Sequence, residues 1–493
     1  MSYMRLLPVA VAAGLLAGCG SPVDTSLLWP EREVKVAGVA DAVLVARIVH
    51  ISDSHLLDIE SPARYAGFDV VVNSAWRPWE AYAPQLLDGM VRATNRVHQS
   101  GLTIDFVIHT GDLCDNAQSN ELGWALDVMD GRMVEPLSGP DDRPADARPA
   151  ANLDPYAAFQ AQGLYRSGLH GECPSIPWYT VPGNHDTYAQ GTLAIVTFPD
   201  GVRRAPLPIS SRLGILAPTL LDPTGCWTHG QVTPARPGPP ALLETPSLVT
   251  PNPARAYFDR SEFKRALSST ATEPAGHGYT EAENDAGWYS VSPLPGLRLI
   301  GMDTSDRLLT IPALPYDDGC ISIVQREFLR RELATAQARG ELVVLASHYP
   351  SRSLEVLSEL VVGPADLRNL LNEYPNVVLH LAGHHHVNRV FDRNGYVEIQ
   401  TCSTLALPQE GRIIEIWRNA ADNSVLIGYD MFSHLDDDLP ALGDDPLRAM
   451  REVARALAKL DRARKALTQT PTPQEVEPEG SPGDRRGQIL LRR

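Results

Sequence analysis

Positive charge is in short supply in this 493-residue chain: 43 lysines and arginines stand against 60 aspartates and glutamates, a formal net charge of −17. Unspecific binding to nucleic acid or to an anionic bilayer depends on Lys and Arg to neutralise phosphates, so the net charge argues against that class of partner. Small anionic substrates remain admissible where bound cations supply the positive field. Cysteine is scarce too. There are six and no CxxC pair, which argues against a structural zinc knuckle. No apolar run reaches the roughly 20 residues that a spanning helix needs, and neither internal repeats nor a paired arginine near the N-terminus can be found.

What is present begins with "MSYMRLLPVAVAAGLLAGCGS". Arg5 supplies a short positive start and Leu6–Gly18 an apolar stretch, so residues 1–18 read as a signal peptide. The stretch ends in "LAGC" (Leu16–Cys19), which resembles the bacterial lipobox. That resemblance implies diacylation of Cys19 and a lipid anchor at the cell envelope, on the periplasmic or cell-surface side. The plainer alternative is an ordinary signal peptide in which Cys19 is incidental. With Cys19 lipidated, Cys114, Cys173, Cys226, Cys320 and Cys402 remain, an odd number, so at least one is unpaired within the chain.

Residues 19–45 read as a tether and lead-in segment. Beyond them, five segments share one pattern, an apolar, largely β-branched run that stops at polar residues: "ARIVHISDSH" (46–55), "IDFVIHTGDLCD" (104–115), "IPWYTVPGNHD" (176–186), "ELVVLASHYP" (341–350) and "NVVLHLAGHHH" (376–386). Separated by helix-like stretches such as "QREFLRRELATAQARG" (325–340), they predict buried strands of an α/β fold. In such folds functional groups collect beyond the carboxyl ends of strands. Two insertions interrupt the domain placed at 46–430. Residues 131–175 read mostly as surface loop. Residues 187–286 read either as a partly folded cap near the site or as a surface excursion. In 431–493 a helix is expected with Leu447, Met450, Val453, Leu457 and Leu460 on one face, followed from about residue 469 by a disordered tail.

The strand ends carry Asp53-x-His55, Gly111-Asp112-x-x-Asp115, Gly183-Asn184-His185-Asp186, Ser347-His348 and Gly383-His384-x-His386. In an extended segment residues i and i+2 point the same way, so Asp53 and His55 can reach one ion together. Asp112 has two oxygens with which to bridge two cations. Imidazoles and carboxylates without thiolate suit manganese, iron or zinc. His50 and His109, inside strands, read as core histidines. Cys114 reads as a buried inert thiol, Asp115 as a residue that shapes its loop, and Asp303 as structural.

This ordered series resembles the calcineurin-like metallophosphoesterase superfamily, over residues 46–418. "GWYSVSPLPGLRLIGMDTSD" (287–306) looks like the family's strand pair, and "RIIEIW" (412–417) like its last strand. The resemblance implies a four-layer α/β/β/α sandwich of two mixed sheets flanked by helices, here with a large insertion and a C-terminal helix. It implies two metal ions, one held by Asp53, His55, Asp112 and His386, the other by Asp112, Asn184, His348 and His384. His385 would be a spacer, and Gly383 would let the backbone turn tightly. The activity implied is hydrolysis of a small phosphate ester by a metal-bridging hydroxide, with His185 protonating the leaving group and Asp186 fixing the His185 ring. "GHGYTEAENDAGWYS" (276–290) resembles a segment of long-insert bacterial members and places His277 near the substrate. Asp115 stands where the purple acid phosphatase branch has a tyrosine, which disfavours that branch. "GDLCD" and "ISDSHL" look more like the branch of bacterial cyclic-nucleotide and glycerophosphodiester phosphodiesterases. The alternative of another class is a catalytically silent metal- or ligand-binding surface lipoprotein on the same scaffold.

Overall fold

The computed structural model describes residues 42–64, 76–141, 148–164, 175–206, 220–225, 248–280, 286–307, 316, 318–355, 362–436, 444–468 and 477–492. The expected signal peptide, Cys19 and most of the tether lie outside these residues, as do Cys173 and Cys226.

Each apolar run identified in the sequence forms a strand. β1 (Ala42–Ile51), β2 (Phe106–His109) and β5 (Trp178–Thr180) lie side by side in parallel. β2 and β5 are buried throughout and β1 over its last four residues, Ile48–Ile51, where it pairs with β2, as two-sided burial of parallel strands requires. β15 (Glu410–Asn419) and β16 (Val425–Ser433) extend the same sheet antiparallel, and β17 (Gly487–Leu491) closes its edge, giving the order β17-β16-β15-β1-β2-β5. The second sheet runs β13-β14-β12-β11-β10-β9. Its parallel centre is β10 (Leu297–Gly301), β11 (Leu342–Ala346), β12 (Val377–Ala382) and β14 (Val397–Gln400), with β9 (Tyr289–Leu294) and β13 (Arg389–Asp392) antiparallel at the margins. A two-stranded ribbon, β3 (Met133–Val134) with β4 (Phe159–Gln160), stands inside the stretch 131–175 that composition makes a loop.

Helices cover the sheets, completing the α/β/β/α layering. On the second sheet, α4 (Ile323–Ala338) is capped by Ser322, whose side chain accepts from the Gln325 N–H. It inserts Leu329 and Leu333 between Ile300, Val343 and Leu345 beneath it. Full burial of each such leucine is worth about 1.5–3 kcal/mol. α5 (Pro364–Asn372) adds Leu367 and Leu370 to the same core. On the first sheet lie α1 (Ala83–Gln99) and α2 (Ser119–Asp130), the latter ended by Gly131 in the left-handed region at φ 68°. The long insertion contains a small sheet of β6 (Val196–Thr197), β7 (Arg203–Pro206) and β8 (Leu220–Leu221), and α3 (Arg260–Ser268) with an Asp259/Glu262 capping box. Arg255, fully buried, ties this insertion to the body through Asp58 at 2.9 Å.

Two expectations about the C-terminus are corrected. α6 (Arg448–Thr468) buries Met450, Ala454 and Ala458, with Leu447 just before it, but leaves Leu460 68% exposed. The small alanines rotate the buried stripe and let the helix approach α1, where Arg451 lies against Gly89. The tail is not unstructured through its length: residues 477–492 include β17, and Asp484 Oδ1 accepts from the Val390 N–H at 2.8 Å. Among the described residues no helix is long and apolar enough to cross a membrane.

Candidate metal centre

The loops that follow β1, β2, β5, β11 and β12 converge, stitched together by backbone hydrogen bonds. The Asp53 N–H donates to the Gly111 carbonyl at 3.1 Å, His55 N–H to Asp112 at 2.9 Å, and Gly383 N–H to His348 at 2.9 Å. Close approach dictates the glycines. Gly111 sits at φ 90°, and a Cβ there would stand 2.7 Å from the Gly183 nitrogen and 3.0 Å from His348 Nδ1. Gly383 is needed for space rather than for a tight turn, because a Cβ on it would run into Ser52 and the Asp53 carboxylate.

The same crowding bends the backbone of the polar residues themselves. Asp53 (φ 54°), His55 (φ 45°), Asp112 (φ 57°), His384 (φ 70°) and His386 (φ 56°) all lie in the left-handed region, which is uncommon for residues with a side chain. β1 ends at Ile51, so Asp53 and His55 converge through this bent loop and not through strand alternation. Such strain persists only where the surroundings over-determine it, and it clusters at functional sites.

The side chains meet at short range. His55 Nε2 is 3.0 Å from His386 Nε2 and 3.6 Å from Asp112 Oδ2. His348 Nε2 lies 3.2 Å from Asp112 Oδ2, and His386 Nε2 lies 3.3 Å from Asp53 Oδ1. Three groupings each have donor atoms within 4.8 Å of one another: Asp53, His55 and His386; His55, Asp112 and His185; Asp53, Asp112 and His348. The His384 ring stands 5.2 Å from the His348 ring, and the His384 backbone N–H donates to the Asp53 carboxylate at 3.1 Å. Asn184 donates from Nδ2 to the Gly191 carbonyl at 3.0 Å.

Whether these residues suit cations is testable on atoms the protein leaves without partners. Asn184 Oδ1 and His348 Nε2 are buried and make no hydrogen bond, although such groups are costly to strand. His348 Nδ1 meets the Thr110 carbonyl at 2.8 Å, a contact that orients the ring and turns Nε2 toward the centre. Burial disfavours charge on Asp53, yet His386, His348 and His55 hold its carboxyl well below the usual range. Burial likewise opposes a charged His348, but the Asp112 and Asp53 carboxylates outweigh it and raise that ring to about 9. Burial and the His185 charge take His55 down to about 4. Two buried carboxylates thus call for positive charge among oxygen and nitrogen donors, and the donor set fits manganese, iron or zinc.

The third block departs from its expected roles. Asp186 does not touch the His185 ring. Its carboxylate accepts from the backbone N–H groups of Asp112 (2.8 Å), Leu113 (3.3 Å), Cys114 (3.0 Å) and Gly183 (2.9 Å), so it shapes two loops. The His185 ring is held by Asp115 instead, with Nδ1 2.6 Å from the Asp115 carbonyl. Asp115 therefore does more than shape its loop, since its Oδ1 also lies 3.1 Å from His55 Nδ1. Tyr349, whose ring centroid is 4.0 Å from that of His384, was missed as well. Its position directly after His348 was the available signal. His277 is outside the centre: buried, stacked on Trp178 at 3.7 Å, and bonded through both nitrogens to Trp178 and Thr270. Cys114, Cys320 and Cys402 are free and buried.

A search among curated proteins finds no match. Similar solved structures include a dimetal phosphatase from Danio rerio, with 13% identity and a TM-score of 0.40, covering 80% of this chain and 98% of that one. A putative 5′-nucleotidase from Staphylococcus aureus has 12% identity and a TM-score of 0.36, covering 83% of this chain and 58% of that one. A sulfate thiohydrolase from Thermus thermophilus has 11% identity and a TM-score of 0.33, covering 86% and 61%. The calcineurin-like phosphoesterase family model matches residues 46–231. The matched stretch carries three of the five strand-end blocks that gather into one donor cluster, so residues 46–231 are similar to the calcineurin-like phosphoesterases in sequence.

Proposed function

We propose that this protein is an exported phosphoesterase whose centre takes two cations of manganese, iron or zinc. Asp53, His55, Asp112 and His386 would hold one, and Asp112, Asn184, His348 and His384 the other. The observation that carries the reading is the convergence of donor atoms around Asp53 and Asp112 with Asn184 Oδ1 and His348 Nε2 left unbonded. Bound there, the cations would supply Lewis acidity toward phosphoryl oxygens and acidify water near neutral pH.

The remaining work falls to side chains of this chain. His185 is anchored at Nδ1 by the Asp115 carbonyl, which leaves Nε2 to pass a proton to the departing alkoxide. The Asp115 carboxylate, 3.7 Å from Nδ1, steadies the charged ring before transfer. Asp186 keeps the two loops in register and stays out of the chemistry. The substrate class is small phosphate esters. Hydrolysis of p-nitrophenyl phosphate and of its bis-ester with added Mn²⁺, alongside metal analysis, tests the reading and separates monoester from diester preference. Silence on both with stoichiometric metal would instead make the protein a binder on a phosphoesterase scaffold.

What supports export is the leader, in which "LAGC" follows an apolar stretch, and Cys19 would be the residue acylated. Cys19→Ala should move the protein from the membrane to the soluble fraction. Retention in the membrane would refute lipid anchoring.

A further inference from the structure

We infer that Arg77 is a positioning residue of the metal centre, acting through Asp115 and held in place by Glu80 and Arg64; the inference rests on the two-cation reading above. One oxygen, Asp115 Oδ1, lies 3.1 Å from His55 Nδ1, 3.7 Å from His185 Nδ1 and 3.5 Å from Arg77 Nη1. Behind Arg77 the pattern continues. Its backbone N–H donates to Glu80 Oε2 at 3.0 Å, and Arg64 Nη2 donates to Glu80 Oε1 at 2.7 Å. The result is a line of alternating charge, Asp115, Arg77, Glu80, Arg64, that starts beside the candidate ligand His55 and runs into the segment between β1 and α1. None of these four side chains is more than 12% exposed.

Ordinary loop stability does not ask for this arrangement, because burying four ionised groups costs desolvation that their pairing only roughly offsets. The line does have one geometric consequence: it fixes a carboxylate against the outer nitrogens of two rings. A ligand histidine is oriented by what its second nitrogen meets, and that outer partner governs metal affinity. Neither Arg77 Nη1 nor Asp115 Oδ1 makes a hydrogen bond elsewhere, so Arg77 is the cation that keeps Asp115 directed at His55 and His185. Glu80 grips both residue 64 and residue 77, which sets where that cation can stand.

The test uses full-length protein carrying Arg77→Met, Arg77→Lys or Glu80→Gln, with Co²⁺ titration followed by visible absorption and with p-nitrophenyl phosphate kinetics per bound metal. Arg77→Met should weaken uptake of one of two Co²⁺ ions by about 10–100-fold and lower kcat similarly, with KM nearly unchanged. Arg77→Lys, which keeps the cation, should recover most of the loss. Glu80→Gln should show a smaller effect in the same direction, and it carries the test if Arg77→Met does not fold. A Co²⁺ titration and spectrum superimposable on wild type would overturn the inference even if the variant melted earlier. So would a rise in KM at unchanged kcat, which would put the guanidinium on the substrate. Wild-type protein that takes up no Co²⁺ would sink the two-cation reading itself, a result distinguishable from either.

Discussion

Two populations of buried histidine occupy this molecule, and depth alone does not separate them. His50, His109, His277 and His380 are fully buried, and so, within 1%, are His55 and His348. Each ring of the first group places at least one nitrogen on a hydroxyl or carbonyl and none on a carboxylate. His50 lies between Thr110 at 2.9 Å and Thr401 at 2.8 Å, His109 meets Ser54 at 2.7 Å, and His380 meets Ser347 at 2.8 Å. A hydroxyl can donate or accept, so His50, bonded through both nitrogens, is satisfied in either tautomer, while His109 and His380 each have one bonded nitrogen and a buried Nδ1 without a hydrogen-bond partner. The second group turns Nε2 toward carboxylates and toward other rings, with His55 and His386 nitrogens 3.0 Å apart. A shared proton can link one such pair, but Asp53, Asp112 and His348 converge on the same place, and a cation can meet several of these donors at once. What a ring nitrogen faces distinguishes a structural histidine from a ligand.

The comparison breaks most visibly at the shared carboxylate. Asp112→Asn keeps the shape and removes the charge that both cations would use, so metal content should fall and turnover should drop by more than about 10³-fold, as loss of several kcal/mol of Lewis-acid stabilisation implies. Metal analysis beside the rate decides it, and a variant that keeps two ions and full activity would remove Asp112 from the centre. His185→Ala should differ in kind: metal retained, turnover slower by about 10²–10⁴-fold. If metal and rate fell together, His185 would join the ligands.

Removing metal sharpens the same contrast without a mutation. Anything bound only by the folded state adds about 2.7 kcal/mol of stability at a hundredfold excess over its Kd and about 4 at a thousandfold. Chelation should therefore lower the melting temperature of wild-type protein, and much less that of Asp112→Asn. Equal shifts in both would mean that the stabilising ion sits elsewhere.

Much of this was legible in the sequence because it depends on local pattern. Apolar runs ending at Ile51, His109, Thr180, Ala346 and Ala382 specify buried parallel strands, and the polar residues after them had to gather at one end. What stayed hidden depends on contacts between loops. That Asp186 faces four backbone N–H groups, and Asp115 the His185 ring, follows from how the second and third loops interlock, and no spacing within either loop encodes it. The bent backbone at Asp53 and His55 was hidden for the same reason: an Asp-x-His written after a strand reads as its continuation. β17 was missed because "GQILL" follows a Pro- and Glu-rich stretch, and its apolar residues acquire meaning only beside the edge of β16. His277 was placed near substrate by resemblance of its neighbourhood, while its own partners lay far along the chain at Trp178.

His277 gives the smallest expected effect and the cleanest contrast with His185. His277→Ala removes a ring stacked on Trp178 and leaves the Trp178 carbonyl without its donor, a loss of about 1–3 kcal/mol, while metal content and kcat per folded molecule should not change. The loss should also depend on pH with a definite sign. Burial pushes the folded-state ring down from 6.5 to about 4, so the unfolded chain binds the proton first as pH falls. The stability contributed by neutral His277 is full above the unfolded value and is lost between about 6.5 and 4. Denaturant melts at pH 7.5 and pH 5 should therefore find wild type and His277→Ala closer together at the lower pH. A gap that widened on acidification, or a kcat that followed the mutation, would put His277 back among the residues that face the substrate.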